Sequence, residues 1–409
     1  MERGNLKLTN PERFTGSYEI PAEKLDAAIK KACDKLLTKL DSYAHSYKQN
    51  LYSPNDILLY DMGENNSWVA GMQTGTLILA YELTGDKRFL DAAVANLPDY
   101  RERIDKKINI NDHDVGFFIC PSCVALYELT GNQEARQIAL DAAKYFYEHS
   151  YSEKGGFVRL GVDGENEQGY GRNGKLEIKG PRTIMDTIMN TPLLLWAGKE
   201  LGEQKYIDAA IAQVKTTEKC LMRADGSTYH HYRFEEETHK PLYGLTFQGN
   251  RDESTWSRGH AWGVIGVPVV YEATEDPEML KMHHDLAYFM LNHLPEDLVP
   301  YWDFDFTSGD EPRDSSAGVI GAAGMMEMSE MLPDSSPDKQ LFRTAGNKML
   351  EAVIDKYAGD IGREYDGLIW GVTGARKFNM IVEGCDSYGD FFYMEALLRS
   401  KNPGCKRFR

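Results

Sequence analysis

A helix-turn-helix pattern that recurs along the chain constrains the fold more than any other feature of the sequence. The clearest copies span residues 77–93, 124–143, 194–210 and 269–286, and a weaker one surrounds residues 326–338. In each copy an apolar helix ends at Gly or an equivalent residue, and an amphipathic helix follows a short turn. Gly after a helix and Asp or Asn before the next are typical cap residues. Such repeats indicate either a helical array or a closed ring.

The segments between the repeats favour the ring. The repeats are irregular, and two long connections, 152–180 with eight glycines and 224–256, separate them. Long connections without regular structure are usually functional. We therefore expect one domain over 1–409, an all-α ring of helical hairpins whose long loops gather at one mouth, with residues 1–20 as an N-terminal extension. Residues 156–160 are predicted to form a small strand hairpin at that mouth.

Composition limits the partners. The chain has 409 residues, a formal net charge of -17 and a pI of about 5.1. This charge argues against nucleic acid and against an anionic membrane surface, and favours small molecules. No apolar leader follows Met1 and no apolar run has membrane-spanning length, so a cytoplasmic location is expected. Six scattered cysteines are too few for a disulfide scaffold in a chain this long. The oligomeric state is left open.

Asp186 is the most informative single residue. It is flanked by Ile184, Met185, Ile188 and Met189. Apolar surroundings disfavour the charged carboxylate and raise its pKa, which suits a general acid near neutral pH. The alternative is a structural Asp that caps a helix or bonds to Asn190. The segment alone does not separate the two roles.

Three other segments combine charged and aromatic residues. Asp114 precedes a helix, and its position favours the role of a helix N-cap over that of a site residue. A helix starting near Ser254 would place Arg258 and Trp262 on one face, where a guanidinium beside aromatic rings suits a carboxylate or a sugar. Asp314 is expected to cap a helix and brace a loop.

Other motifs carry little weight. Cys120 and Cys123 have thioredoxin-like spacing but no βαβ context, so buried thiols are expected. The adjacent pairs His230-His231 and His283-His284 are interpreted as neighbouring helical positions, which do not face one site. The chain contains no HExxH motif, nucleotide-binding glycine fingerprint or GxSxG elbow. No metal or other cofactor is predicted.

Five segments, taken together, resemble the unsaturated glucuronyl hydrolases of glycoside hydrolase family 88. They appear in the family's order and cover roughly residues 68–398. The segments are His113–Phe117 (HDVGF), Asp186–Ala197, Ser254–Gly259 (STWSRG), Arg313–Ala317 (RDSSA) and Tyr388–Leu397 (YGDFFYMEAL).

The resemblance implies an (α/α)6 barrel and a small oligosaccharide substrate with a 4,5-unsaturated glucuronic acid at its non-reducing end. It implies that Asp186 protonates C4 and assists water attack at C5, with Asp114 as the second catalytic carboxylate. The substrate-binding residues that it implies are Trp68, His113, His230, Gln248, Trp256, Arg258 and Trp262.

Departures from the family leave substrate preference open. The segment before Asp186 lacks a Trp that relatives place beside the sugar, and Tyr170 or Leu160 are possible substitutes. Arg376 and Lys377 lie where some relatives bind sulfate, but the Ser-rich version of that segment is absent.

Other activities remain as alternatives. An unsaturated rhamnogalacturonyl hydrolase would share the ring and the hydration chemistry. An inverting glycosidase would need two well-separated carboxylates flanking a water. A sugar isomerase would want paired histidines in the cavity. A non-catalytic sugar-binding scaffold would have no need for both Asp114 and Asp186.

Overall fold

The computed structural model describes residues 6–49, 57–160 and 180–405, and α-helices dominate these ranges. In chain order the helices are α1 (Ala22–Lys39), α2 (Ala70–Thr84), α3 (Lys87–Ala95), α4 (Leu97–Asp105), α5 (Val115–Ile119), α6 (Ala125–Thr130), α7 (Gln133–Ser150), α8 (Thr191–Leu201), α9 (Gln204–Thr216), α10 (Ser257–Thr274), α11 (Pro277–His293), α12 (Ser315–Met331), α13 (Pro337–Tyr357) and α14 (Ser387–Lys401). The strands are β1 (Tyr47–Lys48), β2 (Met62–Gly63), β3 (Tyr151–Ser152), β4 (Phe157–Val158), β5 (Arg182–Ile184), β6 (His231–Phe234) and β7 (Pro241–Leu245).

The helices form two concentric rings. The inner ring runs α2, α5–α6, α8, α10, α12 and α14, and α14 packs back against α2 to close it. A π-helical turn at Cys120–Val124 joins α5 to α6, and a 3-10 turn at Met185–Asn190 leads into α8. The outer ring consists of α1, α3 with α4, α7, α9, α11 and α13. This is the predicted all-α (α/α)6 barrel.

Burial explains which helices lie inside. In α12 every residue from Ser315 to Ser329 is buried, and in α10 every residue from Ser257 to Val270. A helix that is buried on all sides has no polar face to offer to water. The outer helices bury one side only, as α7 does with Ile138, Ala142 and Phe146.

The predicted caps form the hairpin turns. Gly85, Gly131 and Gly202 end inner helices in the left-handed conformation, with φ of 70°, 72° and 67°. The side chains of Asp86 and Asn132 then accept backbone N–H bonds in the first turns of α3 and α7. These caps depend only on residues that are neighbours in the chain, which is why the helical hairpins could be predicted from the sequence.

Two predictions about the long connections were wrong in detail. The segment 224–256 contains β6 and β7, which form an antiparallel sheet with β5, so His231 lies in a strand and not in a helix. The helix expected from Ser254 begins at Ser257, because Trp256 is extended and bridges to Asp303. The small hairpin predicted at 156–160 is confirmed by the β3–β4 pairing.

Residues before α1 lie against the outer ring. Phe14 is buried, and Arg13 donates to the carbonyls of Leu294 and Pro295 after α11.

Within the described ranges, every helix is too short or too polar to cross a bilayer.

Candidate active site

Asp186 lies on the 3-10 turn between β5 and α8, at one mouth of the inner ring. Its carboxylate Oδ1 is buried and has no hydrogen-bond partner among the described residues. Asn190 donates through Nδ2 to the backbone carbonyl of Asp186 (3.4 Å), so it does not hold the carboxylate as the structural alternative required. Burial, with a further contribution from the charge of Asp114, raises the pKa of Asp186 to about 7, although His113 and Arg258 oppose the shift.

Asp114 stands at the cap position of α5 without acting as a cap. Its side chain accepts no backbone bond from the first turn, and Oδ1 lies 3.0 Å from Nε2 of His113. The other ring nitrogen of His113, Nδ1, lies 2.5 Å from Oδ1 of Asp112. Burial opposes charge on His113, but the two carboxylates outweigh it and raise the pKa of His113 well above its usual value. An imidazolium therefore lies between two carboxylates.

A close backbone contact holds the two candidate carboxylates on neighbouring segments. Gly116 of α5 lies so near Asn190 that a Cβ at Gly116 would come within 2.5 Å of the Asn190 Cα. In the same contact, Phe117 N–H donates to Oδ1 of Asn190 (2.9 Å). Asp114 and Asp186 are therefore positioned by one tight junction between α5 and the 3-10 turn.

Arg258 occupies the first turn of α10 and is almost fully buried. Nη1 donates to Asp314 (3.2 Å) and to the carbonyl of Thr373 (2.8 Å), and Nη2 donates to the carbonyl of Gly374 (3.2 Å). Asp314 also caps α12 by accepting from Ser316 N–H, as its sequence position predicted. Arg258 thus braces the loop at 373–374 and adds positive charge near Asp186.

Aromatic rings line the same mouth. Trp68 is partly exposed, stacks on Tyr388 (5.4 Å between centroids, 11° between planes) and lies 5.2 Å from Phe117. Trp262, interpreted from sequence as another wall, has no exposed surface and packs behind Phe117 and against Phe392. In this structure it supports the wall from behind.

His230, Trp256 and Gln248 form the opposite side. The ring of His230 lies 4.5 Å from that of Trp256, and its Nδ1 accepts from the N–H groups of Phe247 and Gln248 at 3.3 Å. Burial, followed by the charge of Arg258, lowers the pKa of His230 well below its usual value, so the ring is neutral. Its Nε2 faces Nε2 of His231 at 3.2 Å. The side chain of Gln248 donates to the Gly374 carbonyl (3.0 Å).

Several buried polar atoms near Asp186 have no hydrogen-bond partner among the described residues. Besides Asp186 Oδ1 they include Trp256 Nε1, His231 Nδ1 and the hydroxyl of Tyr388, which lies against Arg258. Buried polar groups are nearly always hydrogen-bonded, so such atoms indicate a surface that meets a polar ligand.

Sequence reasoning missed Asp112 and Tyr388 as site residues. Asp112 directly precedes His113 in the chain, and this adjacency was the available signal. Of the two candidates for the missing Trp, Tyr170 lies outside the described residues. Leu160 is half-buried, and its N–H donates to the Arg182 carbonyl (2.8 Å).

The trio Asp112, His113 and Asp114 also has ligand atoms within 4.8 Å of one another, which is a spacing that a metal ion can use. A metal needs the neutral imidazole with a free lone pair. In the structure the two carboxylates raise the pKa of His113, so the trio forms an ion-pair network.

Comparison with known proteins gives consistent matches. The model of Glycosyl Hydrolase Family 88 matches residues 29–327. An unsaturated chondroitin disaccharide hydrolase of Streptococcus pyogenes serotype M1 is 35% identical over 394 residues, covering 96% of this chain and 95% of that protein. The crystal structure of the unsaturated glucuronyl hydrolase of Streptococcus agalactiae is 32% identical, with a TM-score of 0.88 over 98% of each chain. A mutant of that enzyme, complexed with dGlcA-GalNAc6S, has a TM-score of 0.82 at 30% identity, again over 98% of each chain.

The junction at Gly116 makes a testable prediction. Gly116→Ala places a methyl group against the Asn190 backbone, so the free energy of unfolding should fall by about 1–3 kcal/mol despite the better helix propensity of Ala. Denaturant unfolding measures the change. Gly318→Ala, in the inner helix α12, is the matched control, because its Cβ meets only ordinary contacts at 3.4 Å. Equal stability of the two variants would contradict the proposed role of the junction.

Proposed function

The chain belongs to Glycosyl Hydrolase Family 88, and from this membership and the site geometry we propose that it removes a 4,5-unsaturated glucuronic acid from the non-reducing end of small glycosaminoglycan oligosaccharides. The observation that carries the proposal is the half-buried Asp186 carboxyl, whose pKa is raised to about 7 and whose buried Oδ1 has no partner among the described residues. The named activities of the relatives at 35% and 32% identity support the substrate class.

The chemistry needs a proton donor that stays protonated near neutral pH. In the substrate, the C4=C5 double bond is conjugated with the ring oxygen as a vinyl ether. Asp186 donates its proton to C4, and the positive charge that develops at C5 is shared with the ring oxygen. Water then adds at C5 and returns a proton to the Asp186 carboxylate. The same carboxyl group acts first as acid and then as base.

Release of the sugar follows from the hydration product. The carbon C5 now carries a hydroxyl and the ring oxygen, so it is a hemiketal. Opening of the ring gives a ketone at C5 and leaves C1 as a hemiacetal of the next sugar. The hemiacetal collapses to an aldehyde and frees the saturated sugar. One water is consumed in total, and Asp186 is regenerated.

The remaining residues are assigned to binding the sugar, to stabilising charge or to positioning other groups. Asp114, ionised against His113, is assigned to the sugar hydroxyls and to stabilising the developing positive charge. Trp68 is assigned to a sugar face and Gln248 to its polar edge, whereas Trp256 and His230 are almost fully buried and stay predicted substrate contacts. Arg258 acts chiefly as a positioning residue, since three of its hydrogen bonds go to Asp314 and to loop carbonyls.

Asp186→Asn tests the acid directly. The variant keeps the size of the side chain and removes the proton donor, so turnover of an unsaturated chondroitin or hyaluronan disaccharide should fall by about 10²–10⁴-fold. Loss of ultraviolet absorbance from the conjugated double bond measures turnover. Asp91→Asn, an exposed Asp on α3, is the control. Near-normal activity of Asp186→Asn would exclude it as the acid, and activity only on unsaturated pectin fragments would favour the rhamnogalacturonyl alternative.

The pH profile tests the raised pKa. Only protonated Asp186 donates, and its pKa is raised to about 7, so kcat/KM should decline as pH rises through about 7. An ordinary carboxyl would already be ionised well below that pH. Initial rates on the same disaccharide, taken from acidic to mildly alkaline pH, measure this decline in kcat/KM. If kcat/KM already declined in the pH range where an ordinary carboxyl ionises, the raised pKa assigned to the proton donor would be contradicted.

Lys377 supports recognition of an anionic group on the substrate. It is exposed on the 3-10 turn Arg376–Phe378, makes no ion pair among the described residues, and its positive charge reaches His230. Burial lowers the pKa of Lys377, while Asp252 and Asp303 oppose the shift. A relative binds dGlcA-GalNAc6S, so a sulfate on the second sugar is the anion we assign to Lys377.

Lys377→Ala should therefore lower kcat/KM for a 6-sulfated disaccharide about tenfold more than for the unsulfated one, equivalent to ~1.4 kcal/mol. Side-by-side kinetics on the two disaccharides measure the ratio. Lys144→Ala on the exposed side of α7 is the matched control, since Lys144 pairs only with Glu148. An equal loss on both disaccharides would assign Lys377 to the uronate or to the fold instead of to sulfate.

A further inference from the structure

The strongest unassigned group in the site is Asp112, the third member of a row of side chains with His113 and Asp114. Oδ1 of Asp112 lies 2.5 Å from His113 Nδ1, and His113 Nε2 lies 3.0 Å from Asp114 Oδ1. The imidazole is buried, whereas the side chains of Asp112 and Asp114 keep 38% and 22% of their exposure. The row therefore runs from the protein edge, through a buried ring, to the carboxylate assigned to the substrate.

We propose that Asp112 is a positioning residue that keeps His113 charged and fixed, so that Asp114 remains ionised and aimed at the substrate. The proposal rests on the proposed function for the role of Asp114. It assigns His113 to holding Asp114 and not to direct contact with the sugar.

Geometry supports this role in two ways. Both ring nitrogens of His113 point at carboxylate oxygens, so both are used as donors when the ring is charged. Asp112 is itself held by the chain, because its Oδ1 also accepts the N–H of His113 (2.7 Å) and its carbonyl accepts the hydroxyl of Ser150 (3.1 Å). The ring consequently has one orientation, as an imidazole held by a second-layer carboxylate does in other enzyme sites.

Electrostatics explain why Asp114 needs such support. Burial raises the pKa of Asp114, and His113 is the first of the groups that oppose this shift. Without a charged His113, burial would favour the protonated form of Asp114, which cannot stabilise positive charge. With two carboxylate partners, His113 keeps its proton up to a higher pH than it would with one carboxylate partner in the same buried place.

Groups on other elements also face this row, and they set the background against which Asp112 acts. Arg103 of α4 opposes the raised pKa of Asp114, whereas Asp186 is itself affected by both His113 and Asp114. The charged and titratable neighbours from other elements are Arg103, Asp186, His230, His231 and Arg258.

Asp112→Asn separates charge from shape, because the amide oxygen can still accept from the ring and from the backbone. Two readouts are compared with the wild-type protein: the pH dependence of kcat/KM on an unsaturated chondroitin disaccharide, and the ¹⁵N shifts of the His113 ring as pH is raised. We expect His113 to lose its proton at a pH about one unit lower. The rising limb of kcat/KM against pH, which reports ionisation of Asp114, should shift to higher pH by a similar amount. The falling limb, which reports ionisation of Asp186, should shift less. Activity at the optimum should fall about tenfold.

Two controls keep the result interpretable. Asp105→Asn, at the exposed end of α4, removes a carboxylate without touching the row and should leave both readouts unchanged. Asp112→Glu restores the charge and should recover part of the rising limb. Circular dichroism melting verifies that each variant is folded.

An unchanged His113 titration and an unchanged rising limb in Asp112→Asn would overturn the proposal. A loss of activity at all pH values with a normal His113 titration would assign Asp112 a merely structural role, which also overturns it. If the wild-type protein turned over no unsaturated disaccharide, the proposed function would fail, yet the ¹⁵N titration would still decide whether Asp112 keeps His113 charged.

Discussion

The contact between α5 and the turn that carries Asp186 is the constraint on which the rest of the site depends. Gly116 allows the backbone of α5 to touch Asn190, and the Asn190 side chain accepts the N–H of Phe117. No side chain longer than hydrogen fits there without moving one of the two segments. This single junction holds Asp114 and Asp186 on neighbouring segments although the two residues lie far apart in sequence.

Charged groups of the site fall into two kinds: some are paired with other protein groups, and one has an oxygen without a partner among the described residues. Arg258 and Asp314 are buried together, and Arg258 also donates to the Thr373 carbonyl while Asp314 accepts the Thr373 N–H, which offsets the cost of removing both from water. Asp186 is treated in the opposite way, since its carboxylate is desolvated and its Oδ1 has no bond among the described residues. A group kept in this state costs stability, and such costs are usual where a protein performs chemistry.

Local patterns were predictable from sequence, and contacts across the ring were not. The hairpins followed from caps such as Gly85 and Asp86, and the chemical character of Asp186 followed from its apolar neighbours. The strand β6 was missed because buried His231 and Arg233 stand where an alternating pattern would place apolar residues. Tyr388 was readable only as part of a family segment, because its contact with Trp68 joins the two ends of the ring.

That contact also bears on how the molecule comes to be folded. The stack of Trp68, which lies just before α2, on Tyr388 of α14 joins the first and the last inner helices of the ring, and α14 also packs against α2. Contacts of such long sequence separation carry a large loop-closure cost and form slowly. One wall of the cavity therefore does not exist in a nascent chain that lacks α14, however well its earlier hairpins have formed.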